Sequence, residues 1–292
     1  MGLVLTTFII GLPLYLIAEF VRRRREARRR SAGGGYESAL LESSARIDST
    51  ERAEDSATMR LPPWWRVWCR RGLGGLLLVA LILQCIAVIR IIRLKKTNPT
   101  TTAFIEDRLI ESGRKGLEQS WVSYQDISPM LVRAVIAGED WRFVNHAGVD
   151  WRALLTAAED DWDSKSLSKG GSTISQQLAK NLFLSSSKNP IRKGYEILLA
   201  YEMEAILGKH RILELYLNVV EWGDGLYGAE AAARHYFNTS AASLNREQAA
   251  FLAAILPNPR DTYNPNKNGA LVHTRLDWIM SLMDYVEILD KN

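Results

Sequence analysis

The stretch "KGGSTISQQLAKN", Lys169 to Asn181, runs on into "LFL" and sets the reading of the whole chain. Thr173 and Gln176 stand in capping-box spacing, where the hydroxyl accepts from the N–H three residues on and the glutamine reaches back. Behind them Ile174, Leu178 and Leu182 recur every fourth residue, which predicts a helix that starts after Thr173 and buries that stripe. In front lie Lys169, Gly170, Gly171 and Ser172, at the end of the helix whose N–H groups have no intrahelical partner. Such a layout suits an anion. It is not a nucleotide loop of the Walker type, since no G-x-x-x-x-G-K-[ST] occurs in the chain.

Outward from this helix the same period persists. In "SPMLVRAVIAGED", Ser128 is the predicted N-cap and Pro129 takes the first helical position. Leu131, Val135 and Glu139 then share one face. "RKGYEILLAYEMEAIL", "HRILELYLNVV", "REQAAFLAAIL" and "LVHTRLDWIMSLMDYV" read as further helices, and strand signals are few. The expectation is one mostly α domain over 97–292, of ordinary single-domain size.

The first third differs. Met1–Lys96 carries 17 Lys/Arg against 8 Asp/Glu, whereas Thr97–Asn292 carries 20 against 25, so the basic excess lies outside the globular part. That disfavours general nucleic-acid binding, which needs many phosphate contacts from the folded body. The only cysteines, Cys69 and Cys85, suit neither a disulfide framework nor a metal site. Residues 1–21 and 72–94 are each near the length needed to cross a bilayer. Between them, 22–71 is polar, Gly/Ser-rich and holds 13 arginines, which predicts a disordered cytoplasmic linker with the chain beyond 94 outside. Arg90, Arg93, Lys95 and Lys96 on the far side weigh weakly against that orientation. Two spans fit this pattern, and so does a single span with a start at Met59.

Five blocks then follow in order: "EDWRFVNHAGVD" (139–150), "KGGSTISQQLAKN" (169–181), "RKGYEILLAYEME" (192–204), "HRILELYLN" (210–218) and "AAFLAAILPNPRDTYNP" (249–265). Together they resemble the family 51 glycosyltransferases, the peptidoglycan glycosyltransferase domain of penicillin-binding proteins. The likeness is nearest to the monofunctional biosynthetic transglycosylases and covers the chain from about residue 60. It implies a lysozyme-like helical domain behind a membrane anchor, at the outer face of the bacterial cytoplasmic membrane. The implied reaction polymerises lipid II onto a growing glycan strand. A sugar 4-hydroxyl attacks an anomeric carbon and displaces undecaprenyl pyrophosphate.

A sugar hydroxyl needs a general base, and the resemblance gives that role to Glu139. The residues agree. Glu139 shares the face of Leu131 and Val135, and it sits near a helix C-terminus, where the dipole opposes negative charge; both raise a carboxyl pKa. The plain alternative is a surface glutamate. Asp140 is expected to organise the site, with Phe143 and His146 as structural companions. The second implied carboxylate is Glu196, near the leaving pyrophosphate, although Arg192 and Glu196 alone would read as an exposed i, i+4 pair. Gly170 and Gly171 would admit the pyrophosphate, Gln177 and Asn181 would hydrogen-bond sugar or phosphate, and Lys180, Arg192 and Lys193 would neutralise the leaving group. For Lys169 a solvated loop lysine is an equal alternative; for Ser172, Thr173 and Gln176 the plain reading is helix capping, a role compatible with binding. Glu204 and Glu214 are expected to support packing.

No metal cage is legible: the four histidines lack H-E-x-x-H spacing, and "EDDWD" (159–163) lacks the alternation of a calcium loop. The expectation is no required cofactor, with Mg²⁺ or Mn²⁺ bridging pyrophosphate and a carboxylate as an option. "SLSK" (166–169) and "SSSK" (185–188) match the transpeptidase S-x-x-K without a K-T-G or S-D-N partner downstream, so no transpeptidase activity is expected. "WRALLTAA" (151–158) is either core helix or a segment dipping into the bilayer surface. Two rivals were weighed. A glycan-cleaving enzyme needs a general acid, whereas this chain supplies cations, which suit a pyrophosphate leaving group. A non-catalytic scaffold would not require both Glu139 and Glu196. Expected partners are lipid II, the growing strand, the membrane and cross-linking transpeptidases.

Overall fold

A computed structural model describes residues 63–113, 116–154, 171–184 and 189–289. The readings of 1–21, of 22–62, of Lys169, Gly170 and "EDDWD", and of both S-x-x-K matches lie outside the described residues. Two compact units divide the chain, 1–81 and 82–292.

Helix α1 spans Pro63–Arg93, and its Gly74–Arg93 stretch, with mean hydropathy 2.6, is long and apolar enough to cross a membrane. Leu76, Leu77, Leu78 and Val79 are exposed, as lipid-facing side chains would be. In the second unit, Ala87, Ile91 and Leu94 form a buried stripe. Gln84, the one polar interruption of the apolar run, falls on that stripe. Its Nε2 donates to both carboxylate oxygens of Glu202, at 2.7 and 2.8 Å. A polar side chain in an apolar span is thereby satisfied rather than orphaned.

The remaining helices of the second unit are α2 (Ala103–Ser112), α3 (Pro129–Glu139), α4 (Ile174–Phe183), α5 (Pro190–Leu207), α6 (Lys209–Val219), α7 (Ala229–Phe237), α8 (Arg246–Ile255) and α9 (Pro265–Leu282). Helix α3 is the central one. Leu131, Val132, Ala134, Val135, Ile136 and Ala137 are all buried, because α8 and α9 pack against it. Ser128 caps α3 by accepting from the Met130 N–H, and Pro129 stands in the first turn, as the sequence predicts. The Thr173–Gln176 box at α4 is reciprocal, at 3.2 and 2.9 Å, and Ile174, Leu178 and Leu182 form its buried stripe.

The expectation of few strands needs one refinement. Glu118–Gln119 (β1), Glu221–Gly223 (β2) and Leu226–Tyr227 (β3) form a small sheet in the order β1-β3-β2, with β1 parallel and β2 antiparallel to β3. Strands of two or three residues are too short for a period-2 pattern to show in sequence. Asn218 ties this sheet to α6: its Oδ1 accepts from the Val122 N–H and its Nδ2 donates to the Val122 and Glu214 carbonyls. Gly228, at φ +85°, lies so close that a Cβ would stand 2.8 Å from the Asn218 carbonyl oxygen. Only glycine fits both the dihedral and the space.

Candidate functional site

A cleft of about 550 Å³ opens along the second unit, lined by Glu139 at the end of α3, by Ser172, Gln177, Lys180 and Asn181 of the α4 segment, and by Arg192, Lys193 and Glu196 of α5. Phe104 and Arg108 of α2, Glu221 of β2 and the Pro257–Asp261 turn complete the wall.

Glu139 is the last residue of α3, and the apolar turn before it draws its carboxyl into the protein. Burial pushes that carboxyl above the ordinary glutamate range, while Arg275 and Gln177 pull the other way. The carboxylate is held from two sides. Gln177 Nε2 donates to Oε2 at 2.8 Å, and Arg275 Nη2 donates to Oε1 at 3.0 Å. Gln177 is in turn oriented by Tyr216, whose hydroxyl donates to its Oε1 at 2.9 Å. Gln177 was expected to meet sugar or phosphate; its amide is engaged with Glu139 instead, although it still lines the cleft.

Cations gather around the second carboxylate. Glu196 is not the exposed partner of an i, i+4 pair. It is 2 % exposed, and its oxygens accept from Arg192 Nη1 at 2.8 Å and Lys193 Nζ at 2.5 Å. Lys193 also donates to the Ser172 hydroxyl, 2.9 Å away. Lys180 projects into the same space, over the Phe104 ring at 5.8 Å, and has no ion-pair partner among the described residues. Burial pushes its ammonium below the ordinary lysine value, and Arg192, Lys193 and Arg108 add to that against the opposing pull of Glu196. Three cations facing one carboxylate leave a positive surface that a di-anion can neutralise. Asn181 lines the cleft beside them, and its side chain makes no hydrogen bond to a described residue.

Other expected residues fall behind the wall. Thr173 and Gln176 are buried, and their side chains are spent on the cap, with Thr173 Oγ1 also donating to the Gly148 carbonyl at 2.5 Å. They are not among the residues that line the cleft. Gly171 is half-buried and also lies off the cleft wall. Asp140 caps α3 and is buried. Its Oδ2 accepts from the Ile174 N–H at 3.0 Å, and both its oxygens approach His146 Nε2, at 2.9 and 3.0 Å. It therefore joins the end of α3 to the start of α4, the two elements that carry Glu139 and Lys180. Phe143 is buried under Lys209, whose ammonium sits 4.1 Å from the ring centroid. Glu204 accepts from Ser175 and Lys209, and Glu214 pairs with Arg211, both as packing supports.

Asp140→Ala is expected to lower stability by about 2–4 kcal/mol, since it strands a buried N–H and the His146 ring together. Thermal unfolding checks this, and Asp140→Asn, which keeps one acceptor, should lose less.

Sequence reading missed several residues of the wall. Phe104, Arg108 and Glu221 lie outside the five blocks, and Pro257–Asp261 falls within the last of them. Tyr216 lies in the fourth block, where nothing local marks its hydroxyl. Arg275 gave no local signal, because its partner lies 136 residues away.

The transglycosylase family model matches residues 106–284, which takes in every element of the cleft except Phe104. The chain belongs to the peptidoglycan transglycosylase family. It is 45% identical over 225 residues to the biosynthetic peptidoglycan transglycosylase of Laribacter hongkongensis, covering 76% of this chain and 98% of that one. Its likeness to the proteins of the same name in Nitrosomonas eutropha and Nitrosomonas europaea is 48% over 219 residues and 50% over 197, covering 72% and 66% of this chain and 90% and 81% of theirs. This transglycosylase is thus an enzyme of peptidoglycan glycosyl transfer, built on a mostly helical domain that follows one apolar helix.

Proposed function

We propose that this transglycosylase polymerises lipid II into glycan strands, with Glu139 as general base and with undecaprenyl pyrophosphate as the leaving group. The observation that carries the reading is the asymmetry of the cleft. One carboxylate is raised by burial and pairs with Arg275 alone among the described residues, while a separate set of cations, Lys180, Arg192 and Lys193, gathers about Glu196.

In this mechanism Glu139 takes the proton of the acceptor 4-hydroxyl as its oxygen bonds to the anomeric carbon of the donor. The bond from that carbon to the pyrophosphate oxygen breaks, and the electron pair leaves with the pyrophosphate. A pyrophosphate departs without protonation when fixed cations meet its growing charge. Lys180 suits that task because its ammonium is desolvated and uncommitted. Arg192 and Lys193 hold Glu196 in place, and Glu196 keeps the three cations from repelling one another apart. A glycan-cleaving reaction asks instead for a carboxylic acid at the leaving oxygen. In this cleft the second carboxylate is committed to two cations.

Mg²⁺ or Mn²⁺, where one takes part, would be held by substrate oxygens together with a carboxylate of the cleft, and would supply charge neutralisation of the leaving group. No group of three ligating side chains occurs among the described residues, and both oxygens of Glu196 are already engaged. No step here is routed through a metal. The Gly74–Arg93 helix is proposed to anchor the domain with the cleft at the outer face, where cross-linking transpeptidases would act on the strand; the arginine-rich stretch before it supports that orientation.

The full-length protein in detergent, given labelled lipid II with and without Mg²⁺, should yield strands that lysozyme cleaves. Product from soluble peptidoglycan, with none from lipid II, would replace synthesis by cleavage.

A further inference from the structure

We infer that Arg275 is a positioning residue for Glu139: it fixes the carboxylate in one rotamer and keeps it ionised at the pH where the enzyme works. The inference rests on the proposed role of Glu139 as base.

Arg275 comes from α9, and what holds it there is specific. Its Nη2 donates both to Glu139 Oε1, at 3.0 Å, and to the Gly138 carbonyl, at 2.9 Å. It therefore grips the backbone and the side chain at the end of α3 together. Its guanidinium lies 5.3 Å from the Tyr263 ring centroid and 5.4 Å from that of Trp278, so two aromatic rings hold the planar group in place. A guanidinium combines such ring contacts with a fixed fork of donors, which a lysine ammonium does not offer. Gly138 leaves room beside this grip: a Cβ there would crowd Ile279 Cδ1 at 3.0 Å, so the isoleucine would have to shift, while Arg275 Nη2 at 3.7 Å would stay in ordinary contact.

The chemistry needs such a partner. A carboxyl desolvated at the end of an apolar helix tends to stay protonated, and a protonated glutamate cannot take a proton. Around Glu139, Asp140 pushes its pKa up, the nearby Tyr216 phenol stays protonated because burial holds its pKa far up, and Gln177 donates without charge. Of the other cations lining the cleft, Arg192 and Lys193 pair with Glu196 and Arg108 with Glu111 and Glu221. Arg275 is the positive group paired with Glu139 among the described residues. Each oxygen accepts one donor, Oε1 from Arg275 and Oε2 from Gln177, which leaves one lone pair on each for an acceptor hydroxyl.

The test is the pH profile of lipid II polymerisation by full-length enzyme. Activity of the wild type should fall on the acid side as Glu139 takes up a proton. In Arg275→Met that limb should move to higher pH by about one to two units, with the plateau rate down about tenfold or more. Arg275→Lys, which keeps the charge without the planar fork, should restore most of the limb position and less of the rate. An acid limb unmoved in Arg275→Met overturns the inference. Should that variant fail to fold, Arg275→Lys and Tyr263→Leu carry the same reading: a limb and plateau rate unmoved in both also overturn it. Glu139→Gln separates the two levels. If it keeps wild-type activity, the assignment of the base fails; if it is inactive while the Arg275 limb is unmoved, only the role of Arg275 fails.

Discussion

Glu139→Gln is expected to abolish polymer formation, lowering the rate by a factor of about 10²–10⁴, while the protein stays folded. The amide keeps the shape of the carboxyl, but its single oxygen can accept from Arg275 or from Gln177 and not from both as they stand, so the Gln177 amide has to turn over to meet the new N–H group. What it lacks is a lone pair basic enough to take the acceptor proton. Burial holds the folded-state pKa of Glu139 above its unfolded value. Protonated Glu139 therefore supports folding at pH below its unfolded pKa, and that support is lost as the pH rises through the folded one. At neutral pH the ionised carboxylate works against stability, and a permanently neutral glutamine removes that opposition while weakening the pair with Arg275. The two effects have opposite signs, so the thermal midpoint should stay close to that of the wild type. A radiolabelled or fluorescent lipid II assay beside a melting curve checks both halves. Polymer formed at the wild-type rate would remove Glu139 from the mechanism, and a large loss of stability would make the inactivity uninformative.

Lys180→Met should lower the polymerisation rate by about 10²–10³, with less effect on the substrate concentration needed for half-maximal rate. Lys180 is desolvated, and Arg192, Lys193 and Arg108 all add to the depression of its pKa. A group held at such cost to its own charge interacts most strongly when new negative charge appears beside it. That happens as the bond to the pyrophosphate breaks, not when the intact substrate binds. The methionine keeps the apolar stem over Phe104 and removes a buried cation without an ion-pair partner, so stability should hold or rise slightly. An equal loss in binding and in maximal rate would place Lys180 with the ground-state contacts instead. Arg192 and Lys193, each fixed to Glu196, should behave differently, because removing either one disturbs a buried carboxylate and destabilises the protein as well.

The primary sequence by itself determined the helical character of the body, the capping boxes, the apolar helix and the identity of the blocks. These features are local. A cap is settled within three residues, a buried stripe within two turns, and an apolar span within about 20 residues. Glu139, Lys180 and Glu196 stood out because the blocks that carry them resemble those of a known family. What only the tertiary structure decided is how these residues face one another. That Gln177 turns to Glu139, that Thr173 and Gln176 sink into the cap, and that Gln84 finds Glu202 all depend on which helix lies alongside, and no periodicity records it. Arg275 is the clearest instance. Its place beside the carboxylate rests on hydrogen bonds to Glu139 and to the Gly138 carbonyl and on two aromatic rings, Tyr263 and Trp278, whose centroids lie 5.3 and 5.4 Å from its guanidinium. Contacts across more than a hundred residues of chain are settled by packing, and packing is a property of the folded whole.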